Sequence, residues 1–187
     1  MGGLIRGLPT VERVIDASQS ALVVPVVAAE SVVGIWRHRY DPAATWGVPA
    51  HVTVLCPFIE PERIDARVRD RLTSVFVQVA SFGFALDRVD RFGDEVLFLA
   101  PDQPKRFRDM TAMLVREWPD YLPYEAAHSE EVPHLTVAHG SVAPSLDDIA
   151  GEITASLPIN ARADTVHLMT GTQEPNSWTA ETVFRLG

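Results

Sequence analysis

The feature that most constrains this chain is a short pattern that occurs twice, Val48-Pro49-Ala50-His51-Val52-Thr53-Val54 and Val132-Pro133-His134-Leu135-Thr136-Val137. Both are apolar runs rich in β-branched residues, and in both a proline stands just ahead of the run, which is how a strand is delimited. Side chains two apart on a strand share a face. Each His therefore points with its Thr, while Val52, Val54, Leu135 and Val137 point the other way, toward a helix-covered core. Twelve threonines among 187 residues put one two places after a given histidine about 6% of the time. Two such hits among six histidines then arise by accident about one time in twenty. The tripeptide alone is weak; its setting is not.

Similar elements come after each pattern. Beyond the first, Pro61 opens a helix over 61–80, with Ile64, Val68, Leu72, Val75 and Val79 on one stripe. A hairpin comes next, 82–89 with 95–100 around Phe92-Gly93-Asp94. Beyond the second come a helix over 144–157 and a hairpin of 160–172 with 178–186. Strand–helix–hairpin thus occurs twice, each time starting at a His-x-Thr. The expectation is an α+β fold, a single bilobal domain over 1–187 with two pseudo-symmetric lobes. Each lobe carries a mostly antiparallel sheet and covering helices, with a cleft between them. The first lobe's unit covers about 51–100 and the second's about 134–187. A strand at 21–27 and a helix at about 104–118, with Phe107, Met110, Leu114 and Trp118 on its apolar side, are added to them. A helix over 28–40 precedes a loop at 41–50, and residues 1–18 have helix-like spacing (Val11, Val14, Ile15). The run at 21–29 has the look of a short signal-peptide core. Glu12 and Asp16 before it and Pro25 within it argue for a buried strand instead.

Composition narrows the partners. Sixteen basic residues against twenty-five acidic ones leave a formal charge of -9, and Lys105 is the one lysine. Long nucleic acid is gripped through many Lys and Arg contacts to phosphate, so this chain is suited to a small ligand with a local site. The one cysteine, Cys56, excludes an internal disulfide and a Cys-rich zinc site and fits a cytoplasmic protein. No apolar run reaches the ~20 residues of a membrane helix. A monomer without membrane attachment is expected.

A twofold arrangement of the two patterns brings two His and two Thr into one cleft, which suits phosphodiester cleavage without a metal. A neutral imidazole takes a proton from the attacking hydroxyl or water, and a protonated one donates to the leaving oxygen. Thr hydroxyls donate to the non-bridging oxygens as charge shifts in the transition state. The residues leave open which histidine is acid and which is base.

At these residues the chain resembles the 2H phosphoesterase superfamily, and within it the bacterial 2'-5' RNA ligase-like and cyclic phosphodiesterase proteins. HVTVLCPF, starting at His51, resembles that family's first motif, and HLTVAHG, starting at His134, its second. The likeness runs from about residue 21 to the C-terminus, though only the two motifs are specific. It implies a bilobal LigT-like fold, no cofactor and metal-independent chemistry on 2',3'-cyclic phosphates, 2'-5' linkages or related cyclic nucleotides. It gives His51 and His134 the acid and base roles, and Thr53 and Thr136 the phosphate contacts. Where such proteins often carry an aromatic near the end of the first motif strand, this chain has Cys56, whose parity places it on the helix-covered face. Two rival functions remain: a nucleotide- or RNA-end-binding module without turnover, and a phosphodiesterase acting on a non-nucleotide substrate.

Other residues carry weaker signals. Tyr124, with Tyr121 and Phe58, lies near a motif or in the loop before the second one, where an aromatic can stack on a base; packing is the simpler role. His139 is five positions from His134 and on a regular strand faces away from it. His128, His134 and His139 lack the spacing of a metal site. Arg37, Arg39, Lys105, Arg106 and Arg108 read as solvated faces, His38 and His167 as surface or core histidines, and Trp46 as a loop anchor.

Overall fold

The structure is a computed structural model that describes residues 18–123, 132–143 and 145–187. The proposed N-terminal helix, Tyr124 and His128 lie outside these residues. Among the described residues, eight strands form two four-stranded antiparallel sheets. One contains β1 (Gln19–Pro25), β2 (His51–Leu55), β7 (Thr165–Gly171) and β8 (Thr179–Arg185), in the order β2-β1-β7-β8. The other contains β3 (Phe82–Phe92), β4 (Val96–Pro101), β5 (Leu135–His139) and β6 (Ile159–Ala163), in the order β5-β4-β3-β6. The helices are α1 (Glu30–Tyr40), α2 (Pro42–Thr45), α3 (Ala66–Phe76), α4 (Pro104–Glu117) and α5 (Leu146–Thr154).

The α+β class and the two antiparallel sheets agree with the sequence; the grouping into lobes does not. The hairpin β3–β4 that comes after the first motif pairs with the second motif strand, β5, and the C-terminal hairpin β7–β8 pairs with β1 in the sheet of β2. Each lobe is thus assembled from both halves of the chain, and the units 51–100 and 134–187 are not separate bodies. The repeat that the topology supports is strand–helix–motif strand–helix: β1-α1-β2-α3 and β4-α4-β5-α5. The strand at 21–27 and the helix near 104–118, expected as additions, are integral members of it. The stretch 160–172, expected as one strand, divides into β6 and β7 on different sheets, with only Asp164 between them. Its backbone carbonyl accepts the Leu186 N–H at 2.9 Å, tying the crossover to the chain's end. The helix expected over 61–80 is a 3-10 turn at Pro61–Arg63 followed by α3. Asp65 caps α3 by accepting the Val68 N–H at 3.0 Å, which sets its start.

Each sheet turns one face to helices. Leu22, Val24, Val52 and Leu55 from the first sheet and Leu97, Leu99, Leu135 and Val137 from the second join Val33, Leu72, Phe76, Phe107, Leu114 and Ile149 in one continuous core. Helices cross between the lobes: α1 packs on β5 and α4 on β2. At that crossing Thr111 Oγ1 donates to the Val54 carbonyl at 2.7 Å. A smaller apolar cluster covers part of the opposite face of the first sheet. Ala21, Val23, Val48, Met169 and Trp178 form it, with Trp46 and Cys56 against them. It anchors the loop that leads into His51, and Trp46 closes it by accepting the Trp178 N–H on its carbonyl at 2.9 Å.

Candidate functional site

The two motif strands are the edge strands of their sheets, and they approach each other. Pairing registers fix which side chains face the cleft between the sheets. On β1, Val23 lies opposite Thr53 and Pro25 opposite His51, whereas Leu22 and Val24 lie opposite Leu55 and Val52. His51 and Thr53 are half-buried on the cleft side, and Val52 and Val54 are in the core. Thr136 pairs with Phe98 and is likewise half-buried between core residues Leu135 and Val137. The face expected for each His-x-Thr is the face observed.

Both motif strands then do the same unexpected thing. The register slips by one residue directly after each Thr, at Val54 in β2 and at Val137 in β5. A bulge of this kind turns two consecutive residues inward, and Val54 with Leu55 and Val137 with Ala138 are all in the core. It also reverses parity beyond it, which corrects two expectations. His139 pairs with Val96, two residues from the Thr136 partner Phe98, so it returns to the face of Thr136 rather than the opposite one. Cys56 leaves the helix-covered face and packs in the small cluster with Ala21 and Val23. Burial pushes its thiol up to about 11, so it is an inert packing group and not a nucleophile.

The imidazoles are held alike. His51 Nδ1 lies 2.7 Å from the Pro49 carbonyl and His134 Nδ1 lies 2.8 Å from the Val132 carbonyl. A carbonyl only accepts, so each Nδ1 carries the proton and Nε2 is the basic nitrogen of each neutral ring. In the free protein the Thr53 hydroxyl sits 3.2 Å from His51 Nε2. His134 packs edge-on against Phe92, ring centroids 5.0 Å apart, and against Phe98 at 5.2 Å. His51 is held well below the usual histidine range, at about 4. Burial is the main cause and the nearby Arg37 guanidinium the next; the Pro49 hydrogen bond opposes them, and the charge of His134 adds to the depression. That last influence places the two imidazoles within electrostatic reach of each other.

Folding stability is linked to this depression. An unfolded histidine protonates near 6.5 while native His51 stays neutral down to about 4, so across that window the unfolded state binds more protons. Stability therefore falls as pH is lowered through it, by up to roughly 3 kcal/mol from this group. Thermal denaturation from pH 7 to pH 4 should show a shallower loss in His51→Gln than in the parent protein; parallel curves would contradict the low value.

The remaining sequence candidates separate cleanly. Phe58 is in the core against Trp118 and Tyr121, and the Tyr121 hydroxyl donates to Glu60; both pack. Arg39 and Arg108 are exposed, Lys105 pairs with Asp109, and Arg106 lies over the Phe82 ring. Arg37 is the exception: expected on a solvated face, it is only 2% exposed and bonded to Asp41. His167 has no partner legible in sequence, yet it pairs with Val23 opposite Thr53, so it shares the cleft-side face two strands from His51. Its Nε2 lies 3.3 Å from Thr165 Oγ1 and burial lowers its proton affinity. Thr165-Val166-His167 is the motif in reverse order, a signal the sequence does contain. Among the described residues no three His, Cys, Asp or Glu side chains gather as metal ligands, and no helix is long and apolar enough to cross a membrane.

Two antiparallel sheets, edge strands meeting at a cleft and two matched His-x-Thr segments define a two-histidine phosphoesterase type of protein. A profile of the 2'-5' RNA ligase superfamily matches residues 24–174. The chain belongs to that superfamily. No curated protein sequence matches it. Solved structures with the same fold include E. coli LigT complexed with 3'-AMP, 13% identical, TM-score 0.60, over 91% of this chain and 99% of that one. They also include a phosphoesterase, 14% identical, TM-score 0.59, over 91% and 99%. A third is the TT0787 protein of Thermus thermophilus, 17% identical, TM-score 0.60, over 90% and 97%. Family and fold together support a phosphoesterase-type activity.

Proposed function

We propose that this chain is a metal-independent phosphodiesterase that opens a small 2',3'-cyclic or 2'-5'-linked nucleotide phosphodiester, with His51 as proton acceptor and His134 as proton donor. The observation that carries the reading is the matched anchoring of both imidazoles through Nδ1, which gives both motif histidines the same tautomer, with Nε2 as the basic nitrogen of the neutral ring. His51 neutral at physiological pH is the form a base requires. Its Nε2 removes a proton from the attacking water, the phosphorus–oxygen bond to one ribose hydroxyl breaks, and His134 Nε2–H protonates that oxygen. Thr53 and Thr136 then donate hydrogen bonds to the non-bridging oxygens, with Thr53 turning from His51 to the phosphate when substrate enters. Each such donor is worth about 10²–10³ in kcat where it serves the transition state. Thr53→Val and Thr136→Val should therefore lower kcat by that order with a smaller change in KM.

The nucleotide reading draws on the family and on the nucleotide complexes of E. coli LigT, a protein of this fold crystallised with 3'-AMP, with NADP+ and with ATP. A net charge of -9 favours a small substrate over long RNA. The deciding experiment is a panel of 2',3'-cyclic nucleotides, 2'-5' dinucleotides and non-nucleotide diesters, followed for both binding and product. Turnover of a nucleotide diester is expected. Tight binding without product would indicate a binding module, and turnover confined to non-nucleotide diesters would overturn the substrate class.

A further inference from the structure

A cyclic nucleotide reaches well beyond the phosphate that His51 and Thr53 would hold, and the cleft must seat its ribose and base. We propose that Thr165 and His167 on β7 form the subsite for the edge of the nucleobase. The substrate is then a ribonucleoside cyclic phosphate lying across β1, from the first motif histidine to β7. This deepens the function proposed above and rests on it for the position of the phosphate.

The placement follows from register. Val23 on β1 lies opposite Thr53 on β2 and opposite His167 on β7. Directly paired residues share a face of the sheet, so Thr53, Val23 and His167 form a row across its cleft side. Neighbouring strands are about 4.8 Å apart, which puts His167 about 10 Å from Thr53 along that row. Two residues along each strand, on the same face, stand His51, its partner Pro25, and Thr165. Thr165 and His167 act as a pair, with Thr165 Oγ1 3.3 Å from His167 Nε2. His51, Thr53, Thr165 and His167 are all half-buried.

The same face changes character on either side of this row. Along β7 it is covered: Met169, two residues beyond His167, is 3% exposed in the cluster with Ala21 and Trp178. Across the sheet it is open: Val183, which pairs with His167 on β8, is 51% exposed. The cluster therefore walls one end of a shelf whose floor is Val23 and Pro25. Apolar floors with a few convergent polar groups are the usual make-up of small-molecule sites. Packing does not call for an imidazole here, since Val166 and Leu168, on the other face of β7, are the residues that enter the core. Burial lowers the proton affinity of His167, and a neutral imidazole offers one donor and one acceptor. The hydroxyl beside it can do either. Such a pair matches the adjacent donors and acceptors along a base edge.

Calorimetric binding of the four ribonucleoside 3'-monophosphates, ribose 3-phosphate and inorganic phosphate to the full chain tests this without turnover. The tightest nucleotide should bind the parent more strongly than ribose 3-phosphate does. In His167→Ala its affinity should fall about three- to tenfold, the contribution of one hydrogen bond, with ribose 3-phosphate unchanged. Thr165→Val should act in the same direction. His167→Gln, which keeps a donor and an acceptor, should recover most of the loss. With the corresponding 2',3'-cyclic nucleotide the loss should appear in KM rather than kcat. In the parent, the His167 imidazole resonances should shift when that nucleotide is added and stay in place with inorganic phosphate. A purely structural histidine would weaken all the ligands alike, or none. Equal loss for all of them, no loss for the nucleotide, no preference for any nucleotide over ribose 3-phosphate, or indifferent His167 resonances overturns the proposal. If His167→Ala does not fold, the resonance shift and Thr165→Val decide. Base-selective binding through His167 in a protein that turns over no diester would refute the proposed hydrolysis and leave the subsite standing. Turnover with unaltered selectivity in His167→Ala would do the reverse.

Discussion

Replacing His51 with glutamine should lower kcat on a 2',3'-cyclic nucleotide by about 10²–10⁴, and His134→Gln should do the same. Glutamine keeps the size and a hydrogen-bonding end but neither takes nor gives a proton at neutral pH. The two losses should not add. Once either imidazole is gone the concerted transfer is gone, and the double variant should be little slower than the worse single one. The pH profiles should differ in kind. The parent should keep its kcat/KM down to the region of pH 4, where His51 protonates in the free protein, and lose it below. His51→Gln should lack that acid limb in its residual rate. A parent whose rate already halves near the ordinary histidine value would remove His51 from the base role.

The second large effect concerns the floor beneath His134. Phe98 is 2% exposed and lies on the cleft face of its sheet, opposite Thr136. Its ring centroid is 4.4 Å from that of Phe92 and 5.2 Å from that of His134. Phe98→Ala deletes a buried ring, a change that typically costs about 3–5 kcal/mol when the surroundings cannot collapse. It also removes an aromatic ring that, with Phe92 among the described residues, packs against the His134 imidazole. Misplacement of a reacting group by an ångström costs as much as about 10²-fold, so kcat should fall on that order in the fraction that is folded. Phe98→Leu, which refills most of the volume, should recover most of the stability. Equal denaturation midpoints for Phe98→Ala and the parent would contradict this packing role.

These effects trace back to features of differing legibility. The His-x-Thr face can be read because strand alternation holds as far as the Thr, and Val52, Thr53, Leu135 and Thr136 sit as the period of two requires. It fails one residue later. A bulge adds a residue without any mark in the apolar pattern, since Val54-Leu55 and Val137-Ala138 read equally well as ordinary strand. Cys56 and His139 take the face opposite to the one expected for that reason alone. The lobes are grouped differently from the sequence expectation because hairpins advertise their local turns, Phe92-Gly93-Asp94 for one, but not the third strand they will pair with. Asp164, a single polar residue between two strands of different sheets, looks in sequence like an alternation within one strand. Arg37 is hidden by its type. An arginine on a helix ahead of a motif is usually solvated, and only tertiary contact reveals Asp41, Val48 and Glu30 around it. His167 belongs to the cleft by register across β1, a relation between strands more than a hundred residues apart.

The central claim, that two imidazoles in this cleft open a nucleotide phosphodiester without a metal, is tested most directly by 31P NMR. The chelator-treated protein would be incubated with a 2',3'-cyclic nucleotide, beside His51→Gln/His134→Gln at equal concentration. The account predicts that the cyclic-phosphate resonance gives way to that of a phosphomonoester with the parent and persists with the double variant. Equal conversion by both, or conversion by the parent that chelator abolishes and added metal restores, would contradict it.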